Sequence, residues 1–555
     1  MIRVSLAMVK QASVTGFSVS ASTSAHSRGR SKRRTGSHTA RSGPPSLLPA
    51  AEIPKIAHAA SADLAELDAL LAIVPDEPTR SHFEQLPESE RWQELNARTL
   101  STSKTARPGT VRTTVLTNHR QTLAVLGYIG ADASTFERLS LAGRMFKEAS
   151  ARNPGSVGLV ALGSGTGAAS AGMEALLAGG FASAFQMPAY RARSEAETGI
   201  RRLVLLDSPK VDIPYATAAG RGNNLVRWLT ALPPNMLDAR GYHATIAKLA
   251  RTHKLGFNWL DEPSLRRLGA NAFLAVCAAN ETRDAGIAHL TYRPPGNKAR
   301  SPDIALVGKG ILFDTGGVNL KPHRSMLDMH TDMSGSAVAL ATLLALVELK
   351  APIAIDAWLA ITANQIGPNA YRPQEVVTAA NGVTIQVIHT DAEGRMVLAD
   401  TLALAGRTQP RFMLDFATLT GAAVYSLTER MSGVLTNRQP LAPKLVEAGR
   451  TSGERVWNFP FDADYDTDLE SKVADILQCS VDGKGDHILA TRFLSRFVPE
   501  DTPWAHVDLS SASRTGGLAH INTDITGFGV RYALELILKH DILGDLGRGA
   551  VGRRK

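Results

Sequence analysis

The sequence predicts an α/β protein built from two α/β domains. Short apolar runs of four to eight residues recur along the chain and alternate with longer stretches of helical character. Such runs are typical of strands that helices cover on both faces of a sheet. The 555 residues also exceed the limit of about 250–300 residues at which a single core stops growing. We expect a smaller N-terminal domain with a mixed sheet and a larger C-terminal domain with a central sheet flanked by helices.

Residues 1–50 differ in composition from the rest of the chain. They are rich in Ser, Arg and Gly, contain eight Lys and Arg residues, and precede the first acidic residue, Glu52. This segment has too little apolar surface to order itself, so we predict a disordered basic tail. The same composition is also found in transit peptides.

The formal charge of +9 belongs almost entirely to this tail, because the remaining chain has only one more basic residue than acidic residues. The balanced body gives no reason to expect a phosphate-binding face. We therefore do not expect nucleic acid as a partner.

The predicted N-terminal domain spans residues 51–220. Strands are expected at 111–118, 122–129, 156–163 and 201–207, and helices at 139–152 and 172–186. The stretch 208–224, SPKVDIPYATAAGRGNN, contains Pro and Gly residues and is predicted to be a loop. A domain boundary is therefore expected near 210–225, before a helix at 224–232.

The predicted C-terminal domain spans residues 221–545. Strands are expected at 303–310, 353–362, 384–389 and 411–419, and helices at 336–349 and 396–406. Only two cysteines occur, Cys277 and Cys479, which excludes a disulfide framework and a cysteine-based zinc site. No run of 18 or more apolar residues appears, so no membrane span is expected. The cysteine content favours a reducing compartment, and we predict a cytoplasmic location.

Several common catalytic motifs are missing from the sequence. It has no G-x-S-x-G elbow, no H-E-x-x-H pair and no P-loop lysine. The glycine-rich GSGTG at 163–167 lacks the lysine that follows a phosphate-binding loop, and a tight connection is the simpler interpretation.

One candidate segment, residues 307–337, begins with VGKGILFDTGGVNLKP. Its glycines at 308, 310, 316 and 317 predict an irregular loop that presents Lys309, Asp314 and Lys321. Asp332 follows near the expected start of a helix. Open α/β sheets place their ligand sites in loops that follow strands.

The other candidate segment, HTDAEGRMVLAD, covers residues 389–400. It lies between a predicted strand and a predicted helix. Asp391, Glu393 and Arg395 are expected to alternate along an extended turn and to point into one cavity.

Carboxylates that converge in one cavity cannot all stay ionised without cations. Two divalent ions would relieve this conflict, share carboxylates and activate a water molecule. A lysine ligand would have to be neutral. Taken singly, Asp332 also fits a first-turn helix acid, Lys309 a surface lysine and Asp391 a helix cap. Spacing alone does not prove that the two segments meet.

The strings VGKGILFDTGG and TDAEGRMVLAD closely resemble the two signature segments of the leucyl aminopeptidase family. The resemblance covers nearly all of residues 225–540, whereas the N-terminal domain matches only in outline. It extends through LTALPPNMLD (229–238), HLTYRP (289–294), NAYRP (369–373), DFATLTGA (415–422), WAHVD (504–508) and TGFGV (526–530).

This resemblance implies a metal-dependent aminopeptidase that releases N-terminal residues, Leu and similar ones preferred, from peptide substrates through a hydroxide activated by two metals. It also implies two divalent metal ions per subunit, manganese or zinc, and a homohexamer. One metal site would use Asp314, Asp391 and Glu393. The other would use Lys309, Asp314, Asp332 and Glu393.

The resemblance also assigns the remaining site residues. Lys321 and Arg395 are implied as catalytic residues: Lys321 would stabilise the oxyanion, and Arg395 would hold a bicarbonate ion. Met329, Thr418 and Gly421 match positions of the family's specificity pocket, where an apolar Met beside small residues fits a medium-sized side chain such as Leu.

Two positions depart from the family pattern. His389 stands where the family usually has Asn, and His330 stands where Lys or Arg is common. A histidine there could add a metal contact or replace a hydrogen-bonding partner. All five expected ligands and both catalytic positions are present, which argues against an inactive homologue.

Two other functions compete with the peptidase hypothesis. A DNA-binding hexamer would need basic surface on the folded body, and a phosphatase with a similar two-metal site would need further basic residues for the phosphate. The charge distribution favours neither.

Overall fold

The structure is a computed structural model of the chain. It describes residues 47–49, 53–60, 66–100, 107–163, 165–191, 199–207, 209–297 and 299–546. The chain separates into two units, Met1–Pro45 and Ser46–Lys555, and the described residues all belong to the second. Most of the predicted tail therefore lies outside the described residues.

Three residues of the predicted tail are an exception. Leu47 and Leu48 pack against the core, and the indole Nε1 of Trp228 donates to the carbonyl of Leu47 at 3.1 Å. Residues 47–49 therefore belong to the folded unit rather than to a disordered tail, because their apolar side chains have a surface to cover.

The N-terminal part of the folded unit contains a six-stranded mixed sheet in the order β1-β6-β5-β2-β4-β3. All its strand pairs are parallel except β3 with β4. The strands are β1 (Lys55–Ala59), β2 (Ala69–Pro75), β3 (Val111–Val115), β4 (Leu123–Ile129), β5 (Ser156–Ala161) and β6 (Arg202–Leu206). The accompanying helices are α1 (Arg80–Glu84), α2 (Ser89–Leu100), α3 (Thr135–Ser150), α4 (Thr166–Ala184) and α5 (Ile213–Ala231). Apolar side chains of β2 alternate between two cores, one on each face of this sheet.

The C-terminal part contains an eight-stranded sheet and a small three-stranded sheet. The strands are β7 (Gly256–Asp261), β8 (Gly286–Tyr292), β9 (Ile304–Asp314), β10 (Ile355–Asn364), β11 (Val376–Thr378), β12 (Thr384–Gln386), β13 (Phe412–Ala417), β14 (Ser432–Thr436), β15 (Val456–Asn458), β16 (Ile476–Leu477) and β17 (Trp504–Asp508). The large sheet has the order β15-β14-β17-β13-β9-β10-β8-β7, and the small sheet has the order β11-β12-β16.

Helices cover both faces of the large sheet. The α-helices are α6 (Ala239–Thr252), α7 (Glu262–Leu268), α8 (Asn271–Val276), α9 (His323–Met326), α10 (Ser334–Glu348), α11 (Glu393–Gly406), α12 (Gly421–Leu427), α13 (Ala442–Ser452), α14 (Asp486–Ser495), α15 (Val530–Leu534) and α16 (Ile542–Asp545). Short 3-10 turns are Cys277–Ala279, Met329–Thr331, Thr428–Arg430, Gln439–Leu441 and Ala463–Leu469, and Glu535–Lys539 forms a π-helical turn. The two-sided α/β arrangement predicted from the sequence is confirmed.

The central strand β9 positions the site. It pairs in parallel with β10 on one side and with β13 on the other. Residues of α10 belong to the core on one face of the sheet, and residues of α11 belong to the core on the opposite face. The chain therefore switches sides at β9, and such a point leaves a crevice beyond the carboxyl ends of the strands.

Two sequence predictions about local structure are wrong. Residues 213–224 of the predicted loop are helical instead, because α5 begins at Ile213 after the Asp212 side chain caps it by accepting from the Tyr215 amide. Its glycines mark close packing: a Cβ on Gly220 would lie 2.7 Å from the Phe181 ring, and one on Gly222 would lie 2.8 Å from Val530. We propose that the boundary between the two predicted domains, 51–220 and 221–545, falls within this helix.

The segment that holds Lys309 and Asp314 is the other wrong prediction. Both residues lie on β9, which extends to Asp314 with a register shift against β10 just before its end, rather than on an irregular loop. A Cβ on Gly308 would lie 2.6 Å from the Cα of Ser336. Glycine is therefore needed here because α10 packs directly on the strand, and not because the chain turns.

One described helical stretch, residues 323–348, is apolar and long enough to cross a membrane by length and composition alone. The mean hydropathy of its most apolar 18-residue window is 1.3, and 83% of that window is buried inside the fold. Packing of α10 against the central sheet accounts for this apolar character.

We predict that Gly335→Ala destabilises the fold. A Cβ there would lie 2.1 Å from the Phe416 carbonyl oxygen, so the helix or the strand must shift, at a cost of about 1–3 kcal/mol or more. Gly167→Ala is the matched control, since its Cβ would meet nothing within 4 Å on α4. Urea unfolding measures both free energies of unfolding, and equal stability of the two variants would contradict the prediction.

Candidate metal centre

Four carboxylates and two lysines converge at the carboxyl end of β9. Lys309 lies within the strand, and Asp314 is its last residue. Asp332 follows a 3-10 turn and precedes α10, whereas Glu393 is the first residue of α11. The turn before α10 and the start of α11, on opposite faces of the sheet, thus direct these acids towards one strand.

Lys309 connects the acids of the two helices. Its ammonium lies 2.8 Å from Asp332 Oδ2 and 2.9 Å from Glu393 Oε1, and it donates to the Thr418 carbonyl at 3.0 Å. The side chain is buried. The interpretation of Lys309 as a surface lysine is therefore wrong.

Lys321 joins the other two acids. Its ammonium lies 2.9 Å from Asp314 Oδ2 and 2.6 Å from Asp391 Oδ1. Asp314 and Asp391 come from the two segments that the sequence singled out. These segments therefore meet in space.

Burial and mutual repulsion perturb the acids. Burial raises the pKa of Glu393 to about 8, and the charge of Asp314 adds to this effect while Lys309 opposes it. Burial also raises the pKa of Asp332 to about 6 against the opposing charge of Lys309. The pKa of Asp391 is raised by burial and by Asp314. The site therefore concentrates more negative charge than it can hold without cations.

The same carboxylates act on the lysines in the opposite sense. Burial alone would lower the pKa of Lys309, but Asp332, Glu393 and Asp314 raise it above its ordinary value. Burial alone would also lower the pKa of Lys321, but the charges of Asp314 and Glu393 raise it above its ordinary value. A lysine that serves as a metal ligand would have to lose this proton when the metal binds.

Thr390 and Asn319 hold the two segments together. The Thr390 hydroxyl donates to the Gly316 carbonyl at 2.6 Å and accepts from the Asn319 amide at 2.9 Å. The Thr390 amide in turn donates to Asn319 Oδ1 at 2.9 Å. This pairing fixes the loop that carries Lys321 against the loop that carries Asp391.

Two glycines allow close approach in the site. Gly316 has a φ of 85°, and a Cβ there would lie 2.5 Å from the Asn319 carbonyl oxygen. A Cβ on Gly394 would lie 2.6 Å from the Lys309 ammonium. Larger residues at either position would displace a charged group of the site.

Two buried amides support the acids, and sequence reasoning missed both. Asn364 donates to Asp314 Oδ1 at 2.8 Å and to the Thr390 carbonyl at 3.1 Å. Gln478 accepts from the amides of Ile388 and His389, at 3.0 Å each, and donates to the Ala392 carbonyl at 3.0 Å. Neither residue lies in a signature segment, so only their long-range contacts identify them.

Arg395 lies within α11, two residues after Glu393, so the expected alternation along an extended turn is wrong. Residues two apart on a helix point in different directions. The guanidinium NH2 donates to both oxygens of Asp486, at 2.8 and 2.7 Å, and NH1 donates to the Gln478 carbonyl at 3.2 Å. Burial alone would lower the pKa of Arg395, but Asp486 raises it. Asp486 was not among the predicted site residues.

Of the three predicted pocket residues, Met329 precedes Asp332 by three residues, and Thr418 contacts Asp332 from a distant part of the chain. Met329 is half-buried and begins the turn that ends at Asp332, and Gly421 is exposed at the start of α12. The Thr418 hydroxyl donates to Asp332 Oδ1 at 2.7 Å, so Thr418 also helps to fix an acid. The contact of these residues with a substrate side chain stays a prediction.

The two unusual histidines differ in their surroundings. His389 is exposed, and its Nδ1 accepts from the Asp391 amide at 3.3 Å. His330 is half-buried in the 3-10 turn, and burial lowers its pKa. The contact of His389 favours its interpretation as a hydrogen-bonding partner.

The acid cluster fits divalent cations. Asp314, Asp332 and Glu393 each offer a carboxylate oxygen, and these oxygens lie within 4.8 Å of one another. Among the described residues, Glu393 Oε2 is buried and has no hydrogen-bonding partner. A buried carboxylate oxygen without a donor is costly unless a cation approaches it. A donor set of carboxylates with a lysine accepts several divalent metals, among them zinc, manganese, magnesium and cobalt.

Comparisons with known proteins agree with this geometry. Residues 224–534 match the model of the cytosol aminopeptidase family, catalytic domain. A probable cytosol aminopeptidase of Synechococcus sp. (strain CC9605) is 36% identical over 430 residues, which are 75% of this chain and 86% of the relative. A probable cytosol aminopeptidase of Rhodopseudomonas palustris (strain BisA53) is 38% identical over 321 residues, which are 58% of this chain. That match spans 63% of the relative's length, less than two thirds.

Solved structures show the same fold. A mutant of tomato leucine aminopeptidase has a TM-score of 0.77 at 27% identity and covers 89% of this chain and 98% of its own. The bottromycin maturation enzyme BotP, in complex with Mn, has a TM-score of 0.71 at 27% identity and covers 85% of this chain and 99% of its own. Both similarities extend beyond the segment that the family model matches.

We predict that Asn364→Leu weakens manganese or zinc binding by about 10–100-fold, because it removes the donor that orients Asp314. Asn297→Leu is the control: Asn297 lies in the loop before β9, at the opposite end of that strand from Asp314. Calorimetric titration of metal-free protein measures both affinities. Unchanged affinity in a folded Asn364→Leu variant would contradict the prediction.

Proposed function

The chain belongs to the cytosol aminopeptidase family, and we propose from this premise that it is a metal-dependent aminopeptidase that releases N-terminal residues from peptides. The observation that carries the proposal is the buried cluster of Asp314, Asp332 and Glu393 beside two lysines. Peptide hydrolysis at such a cluster needs a nucleophilic water, a polarised carbonyl and a group that holds the substrate's amine.

Five residues would hold two divalent cations. We assign Asp314, Asp391 and Glu393 to one ion, and Lys309, Asp314, Asp332 and Glu393 to the other. The cations would supply an activated water and a Lewis acid for the scissile carbonyl. The BotP structure contains Mn, which supports manganese as one metal for the test.

The two lysines have different surroundings and would have different roles. Lys309 is enclosed between Asp332 and Glu393, so it has no access to a substrate except through a metal. Lys321 is more exposed and lies on a loop. As an ammonium whose pKa is raised by Asp314 and Glu393, it can stabilise the negative charge that develops on the carbonyl oxygen.

Met329, Thr418 and Gly421 would form the pocket for the N-terminal side chain. All three remain accessible to solvent, whereas Asp332 beside them is buried. This arrangement would leave room for a Leu side chain next to the cations. The preference for Leu is part of the proposal.

Two further expectations belong to the same proposal. We propose a cytoplasmic location, which the names of the relatives as cytosol aminopeptidases support, and a homohexamer, whose mass light scattering would measure. The bicarbonate expected at Arg395 is not part of the proposal, because Asp486 already holds that guanidinium.

We predict that the purified protein releases leucine from a leucine anilide when manganese is added, and that Asp391→Asn lowers kcat/KM by more than about 100-fold. Removing a residue that only supports a metal ligand usually lowers metal affinity or activity by about 10–100-fold. Asp391 is itself a proposed ligand, so its loss should cost more. The exposed Asp132→Asn variant is the control. A leucine anilide with an acetylated amine should not be cleaved, because the proposal requires a free amine. Equal activity of the Asp391 and Asp132 variants would refute the site assignment.

We predict that Gly421→Val shifts specificity towards smaller side chains. A Cβ at Gly421 would approach only Tyr425, at 3.9 Å, so the fold should tolerate the change while the pocket narrows. Each pocket methylene is worth about 10–200-fold in discrimination, so kcat/KM for a Leu substrate should fall at least about ten-fold relative to an Ala substrate. Gly421→Ala should give an intermediate ratio. An equal loss for both substrates would place Gly421 outside the pocket.

A further inference from the structure

Arg395 and Asp486 form an ion pair beside the acid cluster. Both carboxylate oxygens of Asp486 accept from one guanidinium nitrogen, at 2.8 and 2.7 Å. The Arg395 side chain is 2% exposed, and that of Asp486 is 25% exposed. The buried cation therefore already has a counter-ion from its own chain.

Asp486 is held in place from two directions. It is the first residue of α14, where a helix N-terminus favours negative charge. That helix contacts α11, which carries Arg395, and its Leu489 and Phe493 belong to the same apolar core as Met396. The pair is thus fixed between two packed helices rather than at the tip of a loop.

The charge of Asp486 would repel a second anion beside this pair. A bicarbonate on the Arg395 guanidinium would approach the Asp486 carboxylate to within a few ångström, where like charges repel strongly in a buried setting. Among the described residues, Arg395 Nε is buried and has no hydrogen-bonding partner, so the guanidinium still has donor capacity. Its charge, however, is already neutralised by Asp486.

We propose that the carboxylate of Asp486 takes the place of bicarbonate on Arg395, so that this chain hydrolyses peptides without added bicarbonate. The inference rests on the proposed aminopeptidase function. Asp486 is then a positioning residue: it fixes the guanidinium near Glu393 and supplies the negative charge that an exogenous anion would otherwise bring.

The test compares the full-length protein with Asp486→Ala, in buffers freed of carbon dioxide. Without substrate, calorimetric titration with bicarbonate should show binding to Asp486→Ala and none to the unmodified protein, because only the variant leaves the guanidinium unpaired. Asp482→Ala is the control, since Asp482 is an exposed acid of the preceding loop that pairs with Lys484. It should behave as the unmodified protein does.

Activity provides a separate measurement. Leucine anilide hydrolysis by the manganese-loaded protein should not change on addition of bicarbonate. Asp486→Ala should lose about 10–100-fold, the usual effect of removing a supporting partner, and bicarbonate or formate should restore much of the loss. Asp486→Asn should also lose activity, but its amide fills the space and should restrict rescue.

The outcomes separate this inference from the function on which it rests. Binding of bicarbonate to the unmodified protein, with activation, would overturn the inference while leaving the peptidase proposal intact. Full activity of a folded Asp486→Ala variant without bicarbonate would also overturn it. If no protein hydrolyses any substrate, the peptidase proposal fails, and the titrations alone decide whether Asp486 occupies the anion site.

Discussion

The need to balance buried negative charge governs the organisation of this site. Four carboxylates lie at the end of one strand, and two lysine ammonium groups contact them in pairs. Ionised acids at such separation and burial are stable only beside cations. The cluster therefore cannot be a by-product of an ordinary core, and the surrounding elements must hold the acids where cations can reach them.

Several elements of the fold bring charged side chains together at the carboxyl end of β9. The strand β9 contributes Lys309 and Asp314, the turn before α10 contributes Asp332, and α11 contributes Glu393 from the opposite face of the sheet. Close contact between these elements depends on glycine, because a Cβ at Gly335 would overlap the Phe416 carbonyl. Gly308 and Gly310, which look like loop formers in the sequence, are likewise packing residues in the fold, whereas Gly316 lies in a loop with a φ of 85°.

Glycine can mark either a loop or a close helix–strand contact, and this ambiguity explains which elements could be predicted from the sequence. Strands buried on both faces produce apolar runs, and most of them were predicted correctly. The segments 213–224 and 307–314 were misinterpreted because glycine was taken as a sign of irregular backbone, although the first lies in a helix and the second in a strand under close packing. The acids of the site were found because they cluster in two strings. Asn364 and Asp486 were not found, because each is isolated in sequence. Asn364 acquires its role only through its contact with Asp314, and Asp486 only through its contact with Arg395.

The site has two parts, a charged part and an accessible part that is proposed to bind the substrate side chain. Most of the charged part is buried, namely Lys309, Asp314, Asp332 and Glu393. Asn364 supports Asp314, and hydrogen bonds between Thr390 and Asn319 join the two loops of the site. The part proposed to bind the substrate side chain is accessible, and Gly421 has open space around it. A buried set of charges loses little energy to solvent reorganisation, because its dipoles are already oriented.

An open pocket wall can change in size without moving those charges, since Thr418 is the only proposed pocket residue with a described side-chain hydrogen bond to an acid of the cluster. Specificity in this chain can therefore vary at Met329 and Gly421 while the geometry at β9 is preserved.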